Sequence, residues 1–223
     1  MTGTDTGAGK SVVAAALLAA IAAEGVRVRA HKPAVSGLEE PSGTWPPDHE
    51  LLAAISGSAP EEVSPLRYGP AVSPQHAAEL EGEPIDPETL LVMARAAGQG
   101  APVIVEGAGG LLSPLARDYT VCDLAVSLEL PVVIAARAGL GTINHSLLTL
   151  RAARAAGLIV RAVVLTPWPA EPSRLELYNR ETISRMGEVE VVGLPPLSGP
   201  DPLELARAGA ELPWRRWLSA GSA

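Results

Sequence analysis

The chain has 223 residues and a formal net charge of -8. That length fits one α/β domain burying a single substantial core, and the acidic balance argues against nucleic acid or an anionic membrane as the main partner. One cysteine, Cys122, excludes an internal disulfide framework and a cysteine-based zinc site, and reads as a small buried apolar residue.

The first feature along the chain is Gly3-Thr4-Asp5-Thr6-Gly7-Ala8-Gly9-Lys10-Ser11. It has the form of a phosphate-binding loop with one residue beyond the common spacing, since five residues rather than four separate Gly3 from Gly9. Backbone N–H groups of such a loop wrap the β-phosphate, and the helix beginning near Lys10 turns its positive end to the same anion. Lys10 would neutralise phosphate charge, and the Ser11 hydroxyl would ligate Mg²⁺. An apolar helical pattern (Val12, Val13, Ala16, Leu17) starts at once, which argues against a flexible Gly/Thr-rich terminus. A loop of this kind normally follows a buried strand, yet only Met1 and Thr2 precede Gly3. The expectation is therefore a first strand that is missing or truncated, with a truncated start favoured.

Helical and strand signals then alternate to the end, predicting a single domain with a mostly parallel sheet and helices on both faces. Short β-branched runs predict buried strands at 26–30, 103–105, 132–136, 162–165 and 189–192. Helices are expected at 10–24, 48–55, 87–97, 121–128, 143–156 and 172–186. The Pro- and Gly-rich residues 38–47 read as a loop. No apolar run reaches membrane-spanning length and no secretory signal pattern is seen, so the expected location is the cytoplasm.

Several polar residues fall at the carboxyl ends of these strands, where ligands bind in open α/β sheets. His31-Lys32-Pro33-Ala34-Val35-Ser36-Gly37 follows the second strand. Pro33 biases Lys32 towards an extended backbone, so Lys32 can point into the crevice and stabilise a transferring phosphoryl group. His31 reads as a packing or surface residue. Asp48, after Pro46-Pro47, is either a helix N-cap or a carboxylate on the Mg²⁺ side. Strand 103–105 ends in Glu106-Gly107-Ala108-Gly109-Gly110, making Glu106 a Mg²⁺ ligand candidate beside glycines that let backbone N–H groups approach an anion. In Leu140-Gly141-Thr142-Ile143-Asn144-His145, Thr142 is a natural N-cap, and Asn144 and His145 occupy the first helical turn. His49 and His76 read as surface residues, and Trp214-Arg215-Arg216-Trp217 as a packed helix end.

Taken together, the phosphate loop, the Lys32-to-Gly37 segment, Asp48, the Glu106-to-Gly110 segment and Gly141-Thr142-Ile143-Asn144-His145 resemble the dethiobiotin synthetases, in the family's order over most of the chain. The five-residue gap in the loop is itself a trait of that family. The resemblance implies a P-loop NTPase fold and a homodimer acting on 7,8-diaminononanoate, CO₂ and ATP with Mg²⁺. An amine captures CO₂ as a carbamate, the γ-phosphoryl group activates it, and the neighbouring amine closes a cyclic urea. By the same resemblance Lys10, Lys32 and Thr6 serve the reacting centre, and Ser11, Asp48 and Glu106 gather the Mg²⁺ shell. Gly7, Ala8, Gly9, Val12, Gly107, Ala108, Gly109, Thr166, Pro167, Pro195, Pro196 and Leu197 join them in nucleotide contact. Ser36, Gly109, Gly110, Asn144 and Tyr178 meet the diamine, Asn144 and Tyr178 from the other subunit.

Two departures stand out. Where several members of the family carry Asn-Asp after the strand ending Val163-Val164-Leu165, this chain has Thr166-Pro167-Trp168. A threonine hydroxyl lacks the paired donor and acceptor of an amide, which puts adenine selectivity in question. Ser11 stands where the family commonly has Thr. Two competing readings are a cobyrinic acid amidating enzyme and a partition-type ATPase. The first lacks room here for an amidotransferase domain; the second carries a lysine near the loop start, where this chain has Thr4 and Asp5.

Overall fold

The computed structural model describes residues 1–41 and 43–218. The chain opens with β1 (Thr2–Gly3), the phosphate loop, α1 (Lys10–Ala23), β2 (Arg29–His31) and β3 (Ala34–Val35). There follow α2 (Asp48–Ser56), α3 (Pro60–Val63), β4 (Leu66–Arg67), α4 (Pro74–Leu80), α5 (Pro87–Ala97) and β5 (Val103–Val105). A small hairpin of β6 (Pro114–Ala116) and β7 (Tyr119–Thr120) precedes α6 (Val121–Leu128), β8 (Val132–Ala136) and α7 (Thr142–Ala155). The last elements are β9 (Val160–Leu165), α8 (Arg174–Gly187), β10 (Glu190–Gly193), α9 (Pro202–Ala210) and α10 (Trp214–Leu218).

Strands β1, β8, β9 and β10 pair in that order, all parallel, and β2 pairs with β5, also parallel. Met1 joins the two groups. Its amine donates to the Val105 carbonyl (2.6 Å), and Gly107 N–H donates to the Met1 carbonyl (2.9 Å). The spatial order is therefore β2-β5-β1-β8-β9-β10. The first strand is present, two residues long, in its central place; of the two expectations, missing or truncated, the missing strand is corrected. Burial holds the Met1 amine's pKa down at about 6.

The central strands are buried on both faces, which is why they read as continuous apolar runs. Ala135, Ala162 and Val164 pack into the layer containing α1, α2, α9 and α10, whereas Ile134, Ala136, Val163 and Leu165 pack against α7 and α8. Helices thus cover both faces, as the alternating pattern predicts. Fully buried Leu18 and Ile21 of α1 each contribute on the order of 2 kcal/mol by burial alone. The alanines of α1 let α9 approach to backbone contact: a Cβ on Gly209 would overlap the Ala16 carbonyl.

Several local expectations change. Gly141, with positive φ, is the N-cap of α7, and Thr142 is its first helical residue, its hydroxyl 3.4 Å from that of Ser146. Helix α8 starts two residues late because Ser173 caps it, accepting from Glu176 N–H. His49 is buried rather than on the surface, whereas His76 is exposed beside Glu79. Cys122, Trp214 and Trp217 are buried as expected. The loop at 38–47 is observed, except that Ser42 lies outside the described residues.

Candidate active site

The phosphate loop lies between β1 and α1, fixed to the sheet by Thr4 N–H donating to the Ala135 carbonyl (3.0 Å). Gly9 caps α1 with φ 88°, a left-handed conformation that glycine adopts without steric cost, and a Cβ there would collide with the Thr166 methyl. Lys10 folds back over the loop, its Nζ donating to the Asp5 carbonyl (3.0 Å). Burial lowers the Lys10 pKa, with Glu106 acting the other way.

Sequence distance collapses around Ser11. Its Oγ is 2.6 Å from Asp48 Oδ1 and 2.8 Å from Glu106 Oε1. The Lys32 ammonium sits between the same two carboxylates, 2.7 Å from Asp48 Oδ2 and 2.8 Å from Glu106 Oε1. Lys32 is 2% exposed and Glu106 0%. Burial alone would depress the Lys32 pKa, but the facing charges of Glu106 and Asp48 win and raise it, so the amine is held protonated. Asp48 feels the converse: burial pushes its pKa up, but Lys32, aided by Ser11, brings it below the usual carboxylate value. The N-cap reading of Asp48 gives way. Pro47 is the N-cap position of α2, and the Asp48 side chain turns to Ser11 and Lys32 instead.

The donor set fits a hard divalent cation. Ser11 has one hydroxyl proton for two carboxylate oxygens, so one of its short contacts sets lone pair against lone pair. Two carboxylates face a single directly bonded ammonium, and Glu106 Oε2 is buried with no hydrogen-bond partner. Among the described residues no group of three or more His, Cys, Asp or Glu side chains could hold a metal. Ser11, Asp48 and Glu106 could together hold such a cation through a hydroxyl and two carboxylates, the oxygen donors that hard ions take.

Lys10, Ser11, Lys32 and Asp48 line one cleft of about 700 Å³, which also contains Thr6, Gly7, Gly9, Val12, Ser36, Ala108 and Gly109, with Glu106 buried behind it. Ser36 Oγ donates to the Val72 carbonyl (2.6 Å). Gly109 (φ 63°) has no room for a Cβ beside Ser113 Oγ, with Thr6 Oγ1 on the other side. Ala8 is fully buried behind the loop.

Other expected site residues are elsewhere. Gly107 N–H is spent on the Met1 carbonyl and Gly110 N–H on Ser113 Oγ (2.8 Å), so neither amide is free for ligand. Thr166–Pro167 and Pro195–Leu197 are outside the cleft lining, at the carboxyl ends of β9 and β10. Leu194 N–H bonded to the Leu165 carbonyl and Trp168 N–H to the Leu194 carbonyl hold these two segments side by side. Asn144 and Tyr178 are exposed on α7 and α8, also away from the cleft.

Two residues escaped the sequence reading. Arg137, at the end of β8, donates through Nη2 to the Thr6 carbonyl (2.9 Å) and Asp5 Oδ2 (3.1 Å). Its place after a parallel strand was the available signal. Asn179, buried in α8, donates to the carbonyls of Ala138 (2.9 Å) and Gly139 (3.1 Å), tying α8 to the turn before α7; no motif marks it.

Known proteins resemble this chain. A family model described as an AAA domain matches residues 1–199. The ATP-dependent dethiobiotin synthetase BioD of Anaeromyxobacter sp. (strain Fw109-5) is 42% identical over 204 residues, covering 85% of this chain and 89% of its own. That of Mycobacterium sp. (strain KMS) is 35% identical over 223 residues, covering 98% and 96%. Among solved structures, the Pyrococcus furiosus cell division ATPase MinD matches with a TM-score of 0.55 at 18% identity, over 94% of this chain and 86% of that one. That last likeness bears on the fold alone. On the identity and coverage of its relatives, the chain belongs to the ATP-dependent dethiobiotin synthetase family.

Proposed function

We propose that the chain is a dethiobiotin synthetase, a ligase that joins CO₂ to 7,8-diaminononanoate and closes the ureido ring while ATP becomes ADP and phosphate. The observation that carries this reading is the Ser11–Lys32–Asp48–Glu106 cluster, which sets oxygen donors and a buried ammonium beside a phosphate loop. One amine adds to CO₂ and loses a proton, giving a carbamate. A carbamate oxygen attacks the γ-phosphorus and ADP departs. The second amine attacks the carbonyl carbon, phosphate leaves and a proton is lost. Such chemistry needs positioning and charge neutralisation more than a protein nucleophile.

In this scheme the Gly7, Ala8 and Gly9 amides and Lys10 hold the phosphates. Lys32 reaches from the carboxylate pair to the carbamate and the transferring phosphoryl group, with Thr6 and Ser36 bordering the reacting atoms. Ser11, Asp48 and Glu106 hold Mg²⁺, which when bound neutralises phosphate charge. Gly109 borders the diamine end. Thr166–Pro167 and Pro195–Leu197 flank the base. The structure offers no free Gly107 or Gly110 amide for these tasks, so neither is assigned one.

Asn144 lies outside the cleft, which supports the reading that it serves the diamine tail of a second subunit. Asn144 and Leu148, four residues apart, lie on one face of α7, and Leu140, in the turn just before the helix, is 90% exposed. That face is the surface we assign to a homodimer, with Tyr178 as a further exposed contact. Among the described residues no helix is long and apolar enough to cross a membrane; the ATP requirement supports a cytoplasmic location.

The test is phosphate release with diamine, bicarbonate, ATP and Mg²⁺, each omitted in turn. Dependence on all four is expected, and turnover without the diamine overturns the proposal.

A further inference from the structure

We infer that Arg137 is a positioning residue of the phosphate loop, tethering the Asp5–Thr6 turn so that the Gly7, Ala8 and Gly9 amides stay aimed at the phosphates. The inference deepens the reading of this loop as a triphosphate site and rests on it.

Strand β8 pairs with β1, so the residue after β8 emerges beside the loop that follows β1. Arg137 Nη2 there binds the Thr6 carbonyl (2.9 Å) and Asp5 Oδ2 (3.1 Å), and it would be 3.5 Å from a Cβ on Gly7. The turn is held from its other side by Lys10 Nζ on the Asp5 carbonyl (3.0 Å). That second hold is temporary, because a phosphate loop lysine neutralises phosphate oxygens once nucleotide binds. With Lys10 drawn to the phosphates, Arg137 is the cation left on the turn. The turn lies within a loop one residue longer than the common spacing, and a longer backbone path has more freedom to lose. It also carries Thr6, whose hydroxyl faces Gly109 in the cleft.

The pair is a poor device for global stability. Arg137 is 60% exposed and Asp5 52%, and exposed ion pairs contribute little. A guanidinium, by contrast, can serve a carbonyl and a carboxylate with one planar group, a geometry that lysine's single ammonium reproduces only in part.

The experiment measures Mg·ADP affinity by calorimetry, the melting temperature without ligand, and steady-state kinetics with ATP. The variants are Arg137→Ala, Arg137→Lys, Asp5→Ala and the Arg137→Ala/Asp5→Ala pair. Arg137→Ala is expected to weaken ADP binding about tenfold, the scale of one lost hydrogen bond from a charged group. KM for ATP should rise more than kcat falls, with the ligand-free melting temperature nearly unchanged and Arg137→Lys recovering part of the affinity. The double variant should bind ADP little worse than Arg137→Ala, because both changes cut one tether. Unchanged ADP affinity in Arg137→Ala overturns the inference. So do fully additive losses, which would mean that Arg137 meets the phosphates itself. Should Arg137→Ala fail to fold, Arg137→Gln carries the same comparison. ADP binding is read without the diamine, so a failure of the proposed reaction and a failure of this tether are told apart.

Discussion

Lys32 Nζ lies 2.8 Å from Glu106 Oε1, while the other oxygen of the same buried carboxylate has no partner. One oxygen is therefore committed to an internal cation and the other is left without a partner. Glu106→Gln keeps the shape and removes the charge. Mg²⁺ should then strengthen ADP binding at least tenfold less than in the unaltered protein, as loss of a charged metal contact implies. Calorimetric titration of ADP with and without Mg²⁺ checks this; an undiminished metal effect removes Glu106 from the metal's shell.

Lys32→Ala separates reaction from binding. An ammonium that acts on charge developing in the transition state supports kcat more than affinity. We expect kcat to fall on the order of 100-fold or more, the scale for one such electrostatic contact, with ADP affinity altered far less. Equal losses in both would place Lys32 in nucleotide binding alone. The same variant leaves Asp48 and Glu106 without their shared cation, so its melting temperature without metal should drop and Mg²⁺ should recover more of it than in the unaltered protein.

Gly9→Ala meets two obstacles together, the left-handed φ of 88° and the Thr166 methyl. The conformation alone costs about 1–2 kcal/mol, a drop of roughly 2–8 °C in melting temperature for a chain of this length. Thr166→Ser removes the methyl but not the φ requirement. Combined with Gly9→Ala it should restore part of the stability, and a double variant no more stable than Gly9→Ala would show that the methyl is not the obstacle.

The His31 ring is almost fully buried, both nitrogens lack partners, and burial depresses its pKa from 6.5 to about 4. The unfolded chain therefore binds this proton more readily than the folded one. Stability attached to the neutral ring is fully present above pH 6.5 and is lost as pH falls from 6.5 towards 4, amounting to about 3 kcal/mol. His31→Leu should flatten that part of the profile in denaturant titrations at stepped pH. An unchanged acid slope would assign the loss to other groups.

Thr166 turns its methyl towards Gly9 and carries no amide fork to read a purine edge. Discrimination by kcat/KM between ATP and other nucleoside triphosphates should therefore stay within about tenfold, well below what a hydrogen-bonding pocket achieves. Parallel assays with ATP, GTP, CTP and UTP decide it. A preference for ATP of several hundredfold would require base-reading groups other than this residue.

Much of the frame was legible because it is written locally. Strand 132–136 is an unbroken apolar run, and the helix 87–97 is bounded by Asp86 before it and Gly98 after it, so both were placed to the residue. Elements of two to four residues, such as β3, β4 and α3, exist only through tertiary partners and left no period to read. The same contrast holds in the cleft. The phosphate loop is contiguous in sequence, whereas the local spacing of Asp48 after two prolines left a cap and a metal-side carboxylate both open, a choice decided only by the fold, which sets it against Ser11, 37 residues away. Arg137 reaches Asp5 across 132 residues, and its place after a parallel strand was the one signal it left.

Gly209 against the Ala16 carbonyl fixes how the cleft can respond. Helix α1 is clasped along its middle by α9, backbone to backbone, and cannot slide or tilt without dragging the C-terminal helices with it. Accommodation of a ligand at Lys10 and Ser11 thus falls on the glycine-rich segment ahead of the helix. The alanine run of α1 is, in this light, a mounting rail: its small side chains serve the grip of α9, and the grip keeps the moving part small.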